Sequence, residues 1–112
     1  MEIQLNDAVV ATVLQISGDI DASSSTKLAQ AVNELLGQGK VKLVVDLSGV
    51  AFMDSSGIAS LVLLYKRSKS ALGDLRVCGL QDGVQALFDM TRLNRLLDVF
   101  PDATAAMADW SR

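Results

Sequence analysis

Val44-Val45-Asp46-Leu47-Ser48-Gly49-Val50-Ala51-Phe52-Met53-Asp54-Ser55-Ser56-Gly57-Ile58 is the most informative stretch of this 112-residue chain. An apolar run of strand type passes through a short loop into Asp54-Ser55-Ser56-Gly57, and that polar cluster opens a long apolar segment. Ile58, Leu61, Val62 and Tyr65 recur there at i, i+3, i+4 and i+7, with Leu63 and Leu64 widening the stripe, as in a centrally packed helix ending near Ala71-Leu72-Gly73. Strand, turn and helix in this order make a βα unit. The polar cluster itself has two readings. Its oxygens can cap the helix by accepting from backbone N–H groups. Alternatively a hydroxyl there is a modification site, because a helix N-terminus favours added negative charge.

The pattern extends in both directions. Upstream, Glu2 to Asn6 alternates around Ile3 and Leu5, Asn6-Asp7 reads as a turn, and Val9 to Ile16 suits a buried strand, together a hairpin. Ser17-Gly18-Asp19-Ile20-Asp21 leaves that strand, and a helix follows with Leu28, Val32, Leu35 and Leu36 on one face. Asp21 or Ser23 is its candidate N-cap, and Gly37 or Gly39 its stop. Lys42 to Asp46 is the third strand, with Ser48 and Gly49 as the turn after it.

Downstream, Leu75 to Cys78 reads as a fourth strand, and Gln81-Asp82-Gly83 leads into a short helix carrying Val84, Leu87 and Phe88. Leu96 to Phe100 reads as a last strand stopped by Pro101, and Asp102 caps a terminal helix with Ala103, Ala106, Met107 and Trp110 on one face. Strands alternating with helices predict an α/β fold: a mixed, largely parallel four- to five-stranded sheet with about four helices, in one domain over residues 1–112. In such sheets sites gather where strands end and helices begin. Two polar turns, Gly18-Asp19-Ile20-Asp21 and Asp54-Ser55-Ser56-Gly57, both follow strands and so are expected at one end of the molecule.

Composition removes several functions. The chain has no histidine, so neither a Ser-His-Asp nor a Cys-His nucleophile system is available, and common zinc sites lose their nitrogen ligand. Lone Cys78 has no internal disulfide partner and reads as a small buried hydrophobe. No Gly-rich phosphate loop of P-loop or dinucleotide type is present. A catalytic use of the serine and aspartate cluster would leave the base to a lysine or carboxylate; the expectation is no enzyme, no catalytic residue, no metal and no cofactor. Ten basic against 13 acidic residues give a net charge of −3, without the basic stripe of a nucleic-acid binder. Lys66, Arg67 and Lys69 cluster on the outer part of a helix and read as a solvated face. No apolar run spans a bilayer and no signal peptide is apparent, so a cytoplasmic location without membrane insertion is expected.

The block Asp46 to Ile58 with its Asp-Ser-Ser-Gly, preceded by Gly18-Asp19-Ile20-Asp21, resembles the STAS domain of bacterial anti-sigma factor antagonists. The resemblance covers essentially the whole chain. It implies a regulator that, when unphosphorylated, binds an anti-sigma factor that is also a serine kinase, so freeing a sigma factor. Phosphorylation falls on the second serine of the motif, which matches Ser56, and dissolves the complex; a metal-dependent serine phosphatase resets it. The implied partner-binding set is Asp19, Asp21, Asp54, Ser55, Ser56 and Gly57. From another class, a STAS subunit can act as a structural component of a lipid or small-molecule transport complex, or of a signalling scaffold.

Overall fold

The computed structural model describes residues 1–111. Five strands and four α-helices follow in the order β1 (Glu2–Asp7), β2 (Thr12–Ser17), α1 (Ala22–Gly37), β3 (Lys42–Gly49), α2 (Ser55–Ser70), β4 (Asp74–Cys78), α3 (Asp82–Thr91), β5 (Val99–Phe100) and α4 (Ala103–Met107). The strands lie side by side in chain order; β1 and β2 are antiparallel and every later pair is parallel. The expected mixed, largely parallel sheet is therefore present.

Strand alternation divides the sheet residues between two cores. Leu14, Ile16, Leu43, Val45, Leu47, Leu75 and Val77 face Leu28, Val32 and Leu35 of α1, Leu61 and Leu64 of α2, and Val84 and Phe88 of α3. The opposite face holds a smaller cluster, Ala11, Val13, Val44 and Cys78 under Ala106 of α4. Burial pushes the Cys78 thiol up to about 12, so it stays protonated and behaves as the small hydrophobe its context suggests.

Several boundaries differ from the sequence reading. Asn6 and Asp7 are not a turn: they pair with Val13 and Thr12, and the chain reverses at Ala8–Ala11, closed by Ala8 N–H donating to the Ala11 carbonyl at 2.8 Å. Register decides this, because Leu14 and Ile16 must face α1, and Asp7 is held in the strand by accepting from the Thr12 hydroxyl at 2.9 Å. The second strand accordingly starts at Thr12 rather than Val9. Ser48 and Gly49 are the end of β3, not a turn, since Gly49 pairs with Ser17 across a bulge. Only Val99–Phe100 of the Leu96–Phe100 run is strand; a 3-10 turn at Leu93–Arg95 precedes it and Leu97 is buried. The terminal helix is short, and Ala108–Ser111 continues as a 3-10 turn.

Candidate functional site

The two polar turns meet. Beyond the formal end of β2, Gly18 takes a φ of +91 and donates to the Gly49 carbonyl at 3.0 Å. Pairing then resumes as a parallel bridge between Ile20 and Met53, with Ile20 N–H donating to the Phe52 carbonyl at 3.1 Å and Asp54 N–H to the Ile20 carbonyl at 3.2 Å. Both bridging side chains are buried. The next residue on each side, Asp21 and Asp54, is a helix N-cap, so α1 and α2 start beside one another.

The two caps work differently. Asp21 Oδ1 accepts from Ser23 N–H at 3.0 Å and Ser24 N–H at 3.2 Å, while Ser24 Oγ accepts from Asp21 N–H at 2.9 Å, a reciprocal capping box. The Ser23 hydroxyl adds a 2.6 Å bond, and these donors hold the Asp21 carboxyl below the usual carboxylate range. On α2, Asp54 Oδ1 accepts from Ser56 N–H at 2.9 Å and Gly57 N–H at 3.1 Å. The third helical residue here is Gly57, which has no side chain to reach back.

The carboxylate of Asp54 thus does the capping, and the serines do not. Among the described residues neither the Ser55 nor the Ser56 hydroxyl has a hydrogen-bond partner. Ser55 is exposed and Ser56 half-buried; besides the N–H that donates to Asp54, Ser56 uses its carbonyl, which accepts from the Ser60 hydroxyl at 3.0 Å. Asp19 is exposed on the neighbouring turn.

Gly57 has a packing role. A Cβ there would stand 2.6 Å from Met53 Cγ, 2.8 Å from the Ile20 carbonyl oxygen and 2.9 Å from Ile20 Cγ2. The glycine lets the first turn of α2 settle onto the Ile20–Met53 bridge, which fixes where Ser56 sits. Of the six residues singled out from sequence, five present polar groups to this surface and Gly57 supports it from beneath. Sequence reasoning passed over Phe52, a residue 53% exposed beside the motif, its backbone pinned between buried Val50 and Met53. The signal was available in Val50-Ala51-Phe52-Met53, an apolar run too long for the turn it occupies. No group of three or more His, Cys, Asp or Glu is placed to hold a metal ion among the described residues.

The fold is shared with known proteins. Residues 1–106 match the STAS domain family. Over 86 residues the chain is 33% identical to an anti-sigma-B factor antagonist of Bacillus subtilis, covering 77% of this chain and 78% of that protein. It is 24% identical over 98 residues to an anti-sigma F factor antagonist of Paenibacillus polymyxa, covering 87% and 84%. The fold is shared with an anti-sigma factor antagonist from Mycobacterium paratuberculosis, at a TM-score of 0.88, 23% identity and coverage of 99% and 94%. It is shared too with the Bacillus cell fate determinant SpoIIAA in its phosphorylated form, at a TM-score of 0.74, 16% identity and coverage of 99% and 100%. The chain belongs to the STAS domain family.

Proposed function

We propose that this protein is an anti-sigma factor antagonist that binds an anti-sigma factor serine kinase when unphosphorylated and is released when Ser56 is phosphorylated. Sigma factor availability follows its phosphorylation state, and a metal-dependent serine phosphatase restores the binding form. The observation that carries this reading is the division of labour at the start of α2. Asp54 satisfies the helix terminus, leaving the Ser56 hydroxyl uncommitted on a surface that also bears Asp19, Asp21 and Asp54. Had the serine capped the helix, modifying it would cost the fold a cap. Here it costs none.

The physics of release follows. A phosphate adds about −1.5 to −2 charge near neutral pH. The dipole and N–H groups of α2 tolerate that charge within the domain. At a docked interface it stands beside existing carboxylates, and juxtaposed like charges oppose binding, each ~1.4 kcal/mol being tenfold in affinity. Dissociation with little change of the domain is the expected result. Anti-sigma factor antagonists among the relatives, and a phosphorylated form among the structural neighbours, support the same reading.

The test is affinity capture with wild-type, Ser56→Ala and Ser56→Asp baits, followed by incubation of the captured protein with the wild-type chain and Mg-ATP. Retention by wild type and Ser56→Ala, loss by Ser56→Asp, and a single phosphate mapped to Ser56 are the expected results. Equal retention of transport-complex subunits by all three baits would replace the switch with the structural-subunit role.

A further inference from the structure

The end of the molecule opposite Ser56 carries apolar side chains that no part of the core covers. The β1–β2 reversal, Ala8-Val9-Val10-Ala11, contains no polar side chain, and Val9 is fully exposed at its tip. In the α2–β4 connection Leu72 is 93% exposed and has a φ of 64, a left-handed conformation that costs an L-residue. Turn chemistry favours Gly, Asn or Asp at both places. Stability alone does not select an exposed valine and a strained, exposed leucine. Both tips precede parallel strands, Val9 before β2 and Leu72 before β4, with only β3 between, so those strand starts lie about 10 Å apart across the sheet.

Cations surround these tips. Lys40 and Lys42 lead into and begin β3, and Lys66, Arg67 and Lys69 lie on the last turns of α2. The carboxylates at this end include Glu34, Asp7, Asp74 and Asp109; Asp7 pairs with Lys40 at 2.9 Å, Asp74 with Lys69 at 3.3 Å and Arg76 at 3.4 Å, and Asp109 with Arg76. Lys42 and Lys66 are exposed and make no ion pair among the described residues. An excess of cations here contrasts with a chain whose net charge is −3. The dipole of α2 accounts for Arg67 and Lys69 in its last turn. It does not account for Lys40 and Lys42, nor for the aliphatic tips.

A folded protein partner would need a separate pocket for each projecting side chain. A bilayer surface accepts both at one depth, and anionic headgroups complement the lysines. We infer that this end of the protein docks peripherally on anionic lipid bilayers, with Val9 and Leu72 entering the headgroup region and Lys40, Lys42 and Lys66 facing lipid phosphates. Nothing spans the bilayer: no helix of the described residues is long and apolar enough to cross one. Ser56 lies at the other end of the sheet and stays open to partners while the protein is docked.

Sedimentation of the full chain with large vesicles tests this, using phosphatidylcholine alone and an equal mixture of phosphatidylcholine and phosphatidylglycerol. Wild type is expected to sediment with the anionic vesicles only, and less at raised salt. The double variant Val9→Asp/Leu72→Asp is expected to lose about tenfold or more in partition, and Lys42→Glu/Lys66→Glu a comparable amount. All four positions are exposed, so equal thermal midpoints verify folding. Ser56→Asp is expected to bind vesicles like wild type, which separates this contact from the kinase switch. Unchanged binding of Val9→Asp/Leu72→Asp, or no binding of wild type to either vesicle, would overturn the inference. So would a wild-type dimer in solution that Val9→Asp/Leu72→Asp converts to monomer while vesicles bind neither form, since a second copy would then be the occupant.

Discussion

At Gly57 the absence of a side chain sets where Ser56 sits. A methyl there meets Met53, the Ile20 carbonyl and the Ile20 side chain at once, and all three belong to the two residues of the bridge that holds the turns together. Gly57→Ala is therefore expected to destabilise the domain by about 1–3 kcal/mol, read by urea unfolding, despite the better helix propensity of alanine. A gain in stability would mean that α2 can slide off the bridge without loss. The cap on α1 gives a pH dependence. Hydrogen bonds, first from the Ser23 hydroxyl, hold the Asp21 carboxyl below its ordinary value of 3.8, so the unfolded chain binds this proton more readily than the folded one. The stabilisation is complete above the ordinary carboxylate range and is lost as pH falls through the folded value. Asp21→Asn, which can still cap, is expected to flatten the fall in thermal midpoint between about pH 5 and about pH 3 and to change it little at neutrality. That the Asp54–Gly57 cluster opens α2 was legible in the sequence because capping chemistry is local, but that Asp54 rather than a serine is the cap was not. The roles of Gly57 and Phe52 were not, because they depend on what Ile20 and Met53 bring against them.

At the scale of elements, the helices were the most legible, since their apolar stripes recur over many turns. The hairpin was legible as a hairpin but not in its turn: Asn6-Asp7 has the right composition, yet long-range register against β3 and α1 overrides it. The tertiary role of β4 was hidden altogether. Its central residue Arg76 is buried on the minor face of the sheet, where the guanidinium donates to the Ala106 carbonyl at 2.7 Å and to both carboxylate oxygens of Asp109, and stacks 3.8 Å from the Trp110 ring centroid. Every one of these partners lies 30 or more residues away, beyond any sequence periodicity. Arg76 thereby pins a helix of only 5 residues that could not persist alone. Cys78, two residues on and buried on the same face, reports on that pin. Asp109→Asn weakens the charge-assisted bonds by about 1 kcal/mol, because Asp109 itself faces solvent. That is expected to raise the open population, and with it the rate of Cys78 alkylation, roughly fivefold. An unchanged rate would show that α4 is held by Ala106 and Met107 packing alone.

Across the whole molecule the parallel topology sorts charge. Asp19, Asp21, Asp54, Asp82 and Asp102 all follow the carboxyl ends of strands, whereas Lys40, Lys42 and Lys69 precede or begin strands at the other end. Each helix start takes a carboxylate, so one choice of strand direction builds an acidic pole around Ser56. The largely parallel sheet and the meeting of the Asp19–Asp21 and Asp54–Gly57 turns at one end were legible in the sequence; the addition of Asp82 and Asp102 to that pole appears when β2 to β5 are laid parallel. Such a field acts on association more than on residence time. Asp19 is exposed at this pole, and Asp19→Asn removes charge without removing a cap. Against the proposed kinase partner, the variant is expected to associate several-fold more slowly than wild type at low salt, with a nearly unchanged dissociation rate. The two should converge above about 0.5 M salt, where screening acts within a few ångströms. A slower association that persists in high salt would make Asp19 a direct contact rather than a source of steering. No effect at any salt would move the docking surface away from the Asp19–Asp21 turn and leave Ser56 to act with α2 alone.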